Sequence, residues 1–261
     1  MSITKERTPK QYEELGRLTQ GLLHNTNNSL ASIIGFAEFL TEDLPKNTQP
    51  CLFAQNIKKS GEHLKDMIKQ MWLISSMSEL SHTNTDTTDL EEAIETILLQ
   101  ISEATLKNFN IKLEFDIQND IGNTEIQAHQ GYLSIALIHL LNNAIESFDP
   151  DNNTDDNDTQ DKTISVTLKI KKDNPQKVVL TIFDTGSGMP QDVLKQCQKP
   201  FFSTKDPSEH HGLGLTISET ILKTMNATVT MNSKPGKGTL VTIDFPLHPL
   251  GVNIKYSNRE T

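Results

Sequence analysis

The chain has 261 residues, 34 acidic against 24 basic, for a formal charge of -10. That length accommodates two domains with separate apolar cores, and the acidic balance argues against a nucleic-acid partner, which is gripped through a clustered basic surface. The two cysteines, Cys51 and Cys197, stand far apart without metal-ligand or CxxC spacing, so neither a disulfide framework nor a zinc site is expected and a reducing cytoplasm fits best.

No apolar run approaches the roughly 20 residues of a membrane span, and the opening MSITKERTPKQ has no signal-peptide core. From about Pro9 to Leu44 the residues Leu15, Leu18, Leu22, Leu30, Ile33, Ala37, Leu40 and Leu44 recur at helical spacing, which predicts a long amphipathic helix. The polar stretch HNTNNS, His24 to Ser29, interrupts that stripe and shifts its register. Pro45 to Pro50 marks a reversal, and Phe53, Ile57, Leu64, Met67, Met71 and Ile74 carry a second helix. A hairpin over 9–80 cannot enclose a core by itself, so a homodimeric four-helix bundle is expected.

The polar run Ser81 to Thr88 reads as a linker to a second domain over 89–248, with a tail at 249–261. Thr88 and Glu91 form a capping-box signal for a helix bearing Ile94, Ile97, Leu98 and Ile101. A strand IKLEFDI, a short strand near Glu125 to Ala128, and an apolar helix from about Gly131 to Phe148 follow. Asp149 to Asp161 is almost wholly polar and reads as a solvated loop. TISVTLKI and KVVLTIFD read as a hairpin, GLGLTISETILKTM as a helix opening on glycines, and ATVTMNS and TLVTIDF as a final hairpin. The expected fold class is α+β: a helical hairpin, then an α/β sandwich with helices on one face of a mostly antiparallel sheet.

Several segments carry chemistry. Asn143 lies late on an apolar helix, and a carboxamide oxygen is a hard ligand suited to Mg²⁺. Asp184 ends a strand and opens DTGSGM, where a carboxylate can accept from an adenine amino group while Gly186 and Gly188 admit close backbone approach. Gly212 and Gly214 open a helix whose free N–H groups suit phosphate oxygens. Between them Lys199 to Asp206 brings two phenylalanines, Thr204 and Lys205 into a loop able to close over a nucleotide. Each segment alone also has a plain structural reading; their occurrence in order carries the inference.

In that order, NNAIES, DTGSGM, PFFSTKD, GLGL and GKGT resemble the boxes of the histidine-kinase branch of the GHKL ATPases, over about Thr88 to Leu247. The first segment, HNTNNSLASIIGFAEFL, is similar to the phospho-acceptor box of the same family. The resemblance implies ATP and Mg²⁺ as cofactors, with nucleotide contacts from Asn143, Asp184, Gly186, Gly188, Thr204, Lys205, Gly212, Gly214 and Thr239, and Asn143 toward the metal. It implies that His24 accepts the phosphoryl group and that Asn28, one turn later, orients water against a phosphorylated aspartate. Three positions depart from the pattern: Asn25 replaces the usual acid after the acceptor, His139 replaces the first Asn of the N-box, and His210 replaces a glycine.

The leading expectation is a two-component histidine kinase without an attached sensor domain, passing phosphate from His24 to a response-regulator receiver domain and taking input from a separate protein. Two alternatives stand beside it: a regulator phosphatase with weak kinase activity because Asn25 cannot take a proton, and a degenerate scaffold. A hydrolytic GHKL ATPase fits least, since a glutamate base is missing near Asn143.

Overall fold

The structure is a computed structural model that describes residues 9–80, 86–101, 106–107, 110–118, 124–148, 161–171, 173–174, 176–205 and 211–248, with side chains in the first of these ranges described from 25 to 73. Residues 149–160 of the expected loop at 149–161, the tail at 249–261, His210 and most of the expected linker lie outside the described residues. The chain divides into two compact units, one comprising 1–80 with 203–213, the other 81–202 with 214–261.

In the first unit, α1 (Pro9–Asp43) and α2 (Gln49–Leu80) form the hairpin that the periodicity predicts. The reversal is local chemistry. Asn47 takes a left-handed φ of 66°, a conformation that Asn tolerates better than most residues. Thr48 Oγ1 donates to the Pro45 carbonyl at 2.7 Å. Pro50 sits in the first turn of α2, where its missing N–H costs nothing. Small residues set the approach of the helices: Ala37, Cys51, Ala54 and Gly61 are buried along the seam, and a Cβ at Gly61 would lie 2.7 Å from Ile34 Cγ1. Leu30 and Ile68 close a small apolar cluster, and Lys58 pairs with Glu38 at 2.6 Å across the seam.

That seam buries only part of the apolar stripe. Phe36, Phe39, Phe53, Ile57 and Trp72 remain about half exposed or more. Asn27 Oδ1 and Gln70 Oε1 are buried without a hydrogen-bond partner. A hairpin with an unburied apolar face and orphaned amide oxygens is an incomplete core.

The second unit is a five-stranded sheet in the order β2-β4-β5-β7-β6, formed by β2 (Lys112–Gln118), β4 (Thr163–Ile170), β5 (Lys177–Asp184), β6 (Thr228–Ser233) and β7 (Thr239–Pro246). β2 runs parallel to β4, and the other neighbours are antiparallel. Burial alternates along the central strands, so Ile164, Val166 and Leu168 on β4, Leu180 and Ile182 on β5, and Val241, Ile243 and Phe245 on β7 face the core. Among the described residues, the long helices of the unit are α3 (Leu90–Gln100), α4 (Gln130–Glu146) and α6 (Gly214–Thr224), with the short α5 (Gln191–Leu194) before the last of them. Ile94 and Ile97 of α3 and Leu137 and Leu141 of α4 meet Val166, Leu180 and Ile182 around one apolar space. The two-layer α/β sandwich expected from the sequence is present.

Two local expectations change. The short strand near Glu125, β3 (Glu125–Gln127), pairs with β1 (Thr87–Asp89) in a separate two-stranded ribbon rather than joining the sheet. Thr88, expected to cap α3, instead lies in β1 with its hydroxyl donating to the Ala128 carbonyl at 2.8 Å. The cap is Asp89: its Oδ1 accepts from Glu92 N at 3.2 Å and from Thr124 Oγ1 at 2.6 Å. Pairing of Thr88 with residues 40 positions away displaces the cap by one residue, because a buried ladder partner outweighs a local one.

Candidate functional site

The sandwich brings one constellation together at the end of β5. Asp184, the last residue of that strand, is 4% exposed. Its Oδ1 accepts three hydrogen bonds: from Gly186 N at 3.0 Å, from Ser147 Oγ at 3.2 Å and from Thr239 N at 3.2 Å. Burial pushes its carboxyl above the ordinary carboxylate value, and those three donors oppose the shift. Because all three fall on one oxygen, the Asp184 ring of contacts fixes the carboxylate plane and leaves Oδ2 for another donor.

The glycines explain how the turn is packed. A Cβ on Gly186 would lie 1.9 Å from Ser147 Oγ, and one on Gly188, at φ 64°, would lie 2.0 Å from the Lys234 carbonyl oxygen. Gly238, at φ 80°, is closer still: its added Cβ would meet the Asp184 carbonyl oxygen at 1.8 Å. The turn after β5 is thereby sewn to the turn between β6 and β7. Gly236 N donates to the Ser187 carbonyl at 2.7 Å, Met189 N donates to Ser233 Oγ at 2.8 Å, and Ser233 Oγ lies 2.9 Å from Thr239 Oγ1. Gly238→Ala is expected to destabilise the unit by about 3 kcal/mol or more, since left-handed strain and a backbone clash add. A denaturant titration checks this; an unchanged midpoint would mean the two turns are not locked together.

Asn143 lies on α4 one turn before Ser147, half-buried, and its Nδ2 is buried without a hydrogen-bond partner. His139 stands one turn earlier on the same face. Its ring abuts the first residue of α6: a Cβ on Gly214 would sit 3.3 Å from His139 Nδ1. Burial lowers the imidazole pKa below its ordinary value, with Glu146 acting in the opposite direction. α6 is held against α4 by Ser218, whose hydroxyl bridges the Ala136 and Gly214 carbonyls at 3.0 Å each. Thr216 Oγ1 donates to the Gln198 carbonyl at 3.0 Å and anchors the start of the PFF segment.

The sandwich unit therefore holds Asn143, Asp184, Gly186, Gly188, Gly214 and Thr239, whereas Thr204, Lys205 and Gly212 fall in the segment 203–213 of the first unit. Thr239 is buried and its backbone N–H serves Asp184. Ser147 and Ser233 were not singled out in the sequence; both hold the Asp184 turn, and only Ser147, inside NNAIES, stood in a motif that pointed there. His24, Asn25 and Asn28 all lie on α1. Asn25 and Asn28 are exposed, and the His24 side chain lies outside the described residues.

The family model described as Histidine kinase-, DNA gyrase B-, and HSP90-like ATPase matches residues 128–249, and that of the His Kinase A (phospho-acceptor) domain matches residues 14–80. The chain carries the phospho-acceptor and ATPase domains of the histidine-kinase type. The chain is 27% identical over 233 residues to the sensor histidine kinase ZraS of Salmonella typhimurium, covering 89% of this chain and 46% of that protein. It is 26% identical over 247 residues to sporulation kinase C of Bacillus subtilis, covering 93% of this chain and 52% of that one. It thus spans about half the length of these relatives. In fold it is similar to full-length ShkA in complex with AMPPNP, with a TM-score of 0.67, 18% identity, and coverage of 92% of this chain and 46% of that chain. The ATPase match places an ATP-binding domain on the sandwich that carries Asp184.

Proposed function

We propose that the chain transfers the γ-phosphoryl group of ATP to His24 and then to an aspartate of a response-regulator receiver domain. The observation that carries the reading is the locked Asp184 carboxylate, with Oδ2 left to accept the adenine amino group, on the sandwich of a chain that also bears a phospho-acceptor helix. Asn143 lies on α4 one turn before Ser147, and its carboxamide oxygen suits a cation held with the phosphates, where Mg²⁺ would neutralise charge developing on the transferred group. Thr239 acts through Asp184 as a positioning residue, and Gly186 and Gly188 let the turn close. Thr204, Lys205 and Gly212 are the further nucleotide contacts that the resemblance of their boxes implies.

In the transfer, a His24 ring nitrogen forms the N–P bond as the bond from phosphorus to the β,γ-bridging oxygen breaks, and ADP leaves. The second step breaks N–P and forms an O–P bond on the regulator aspartate. The exposed phenylalanines of the hairpin, together with the orphaned Asn27 and Gln70 oxygens, support a homodimer whose second copy completes the bundle core. None of the described helices is long and apolar enough to cross a membrane. The use of ATP and a receiver domain makes the cytoplasm the expected compartment.

The test is incubation of the purified chain with Mg²⁺ and γ-labelled ATP. Acid-labile, base-stable label is expected on the wild type and none on His24→Ala. Absence of label from wild type over hours, with nucleotide bound, would overturn the kinase reading.

A further inference from the structure

We propose that Ser147 is a positioning residue for the nucleotide base: its one hydroxyl proton serves either the Ala144 carbonyl or Asp184 Oδ1, and turning it onto Asp184 favours the ionised carboxylate that accepts the adenine amino group. This deepens the ATP-site reading above and rests on it. Ser147 is the C-cap of α4, and its Oγ lies 2.7 Å from the Ala144 carbonyl in its own helix and 3.2 Å from Asp184 Oδ1 at the end of β5. A hydroxyl has a single proton, so it donates to one of these acceptors at a time. The backbone of Ser147 holds the hydroxyl in place between them. Its N–H donates to the Asn143 carbonyl at 3.1 Å, and its own carbonyl accepts from Ser187 N at 3.1 Å. The turn after β5 closes directly over the hydroxyl, since a Cβ on Gly186 would lie 1.9 Å from Ser147 Oγ.

The charge on Asp184 decides which acceptor wins. A hydrogen bond to an ionised carboxylate is roughly twice as strong as one between neutral groups. With Asp184 ionised, the Ser147 proton goes to Oδ1; with Asp184 neutral, it returns to the closer Ala144 carbonyl. A donor that serves only the charged form favours that form, against the burial that disfavours it. Gly186 N and Thr239 N donate from fixed backbone positions, so Ser147 is the donor of the three that rotates. The neighbouring strands bring Ile164 of β4 and Thr239 of β7 opposite Asp184. Among the described residues, the influences on the Asp184 carboxyl are burial and the three donors, and the titratable His139 and Glu146 of α4 and Lys234 and Lys237 of the turn before β7 are not among them. A serine present only to cap α4 would keep its proton on Ala144 at every pH.

The experiment measures binding of a non-hydrolysable ATP analogue with Mg²⁺ to the full chain by calorimetry, from the alkaline plateau of affinity down through its acid limb. Ser147→Ala is expected to bind within about threefold of wild type on the plateau. Its affinity then falls at higher pH than that of wild type, so that at the wild-type midpoint it binds about fivefold weaker. Ser147→Cys keeps the shape of the side chain but offers only a weak donor, and is expected to move the acid limb in the same direction. In an Asp184→Asn background, Ser147→Ala is expected to leave the pH profile unchanged. Acid limbs that coincide in wild type and both variants, or a weakening that is equal at every pH, would reduce Ser147 to a helix cap and overturn the inference while leaving the nucleotide site intact. Failure of wild type to bind the analogue at any pH would overturn the ATP-site reading and this inference with it.

Discussion

Asp184→Asn is expected to weaken ATP binding roughly 100-fold while the sandwich keeps its fold. The Asn Oδ1 can still accept from Gly186 N, Ser147 Oγ and Thr239 N, so the turn stays closed. What changes is the other atom: an NH₂ replaces the oxygen proposed to accept from the adenine amino group, so two donors would confront each other. Losing a charge-assisted hydrogen bond costs about 1.5–3 kcal/mol, and the unpaired donor adds to it. Calorimetry on wild type and variant, with thermal unfolding as a control for the fold, measures the effect. An affinity within threefold of wild type would show that the base is read elsewhere. The same oxygen sets a pH dependence. Burial raises the Asp184 pKa, and the acceptor must be ionised, so nucleotide affinity is expected to fall as pH drops through values above the ordinary carboxylate range. Asp184→Asn should show no such fall.

Asn25→Glu is expected to raise the rate of His24 labelling about 100-fold, the scale of a positioned general base. As the N–P bond forms, the other ring nitrogen must give up or share its proton. A carboxylate at position 25 can take that proton, whereas an amide can only orient the ring and leaves the proton to solvent. The substitution is mild for the helix. Asn25 is exposed on α1, and the hydrogen bond recorded from Ser29 Oγ at 3.2 Å goes to its backbone carbonyl, which every residue retains. The rate of acid-labile, base-stable label from Mg²⁺ and γ-labelled ATP is the measurement. If Asn25→Glu labels no faster than wild type while binding nucleotide equally, proton removal does not limit the step. Fast release of phosphate from a phosphorylated regulator by the wild type, lost in Asn28→Ala, would then favour the phosphatase reading.

Much of the architecture was legible because apolar periodicity reports burial directly. The stripe through Leu30, Ile33, Ala37 and Leu40 could only be a helix, and alternation in TISVTLKI and KVVLTIFD could only be half-buried strands. The five boxes were legible for a different reason: each needs residue types with a specific backbone or donor property, and those types are visible one by one. Where the sequence misled, a distant partner overrode a local signal. Thr88 looked like a cap, but a carbonyl at Ala128 claimed its hydroxyl and Asp89 took over the helix end.

The amino-acid sequence alone determined which residues are available: an acidic strand end with glycines after it, an Asn on an apolar helix, a histidine followed by an amide. Spacing and chemistry are enough for that, since both are properties of single positions or short windows. Tertiary structure decided what those residues do to one another. It placed Ser147 from the end of α4 and Thr239 from the start of β7 on one oxygen of Asp184, and set Gly238 against that residue's carbonyl. It also brought His139 against Gly214. These contacts join positions separated by tens of residues, and only the closure of the sheet over its helices brings them within hydrogen-bond reach.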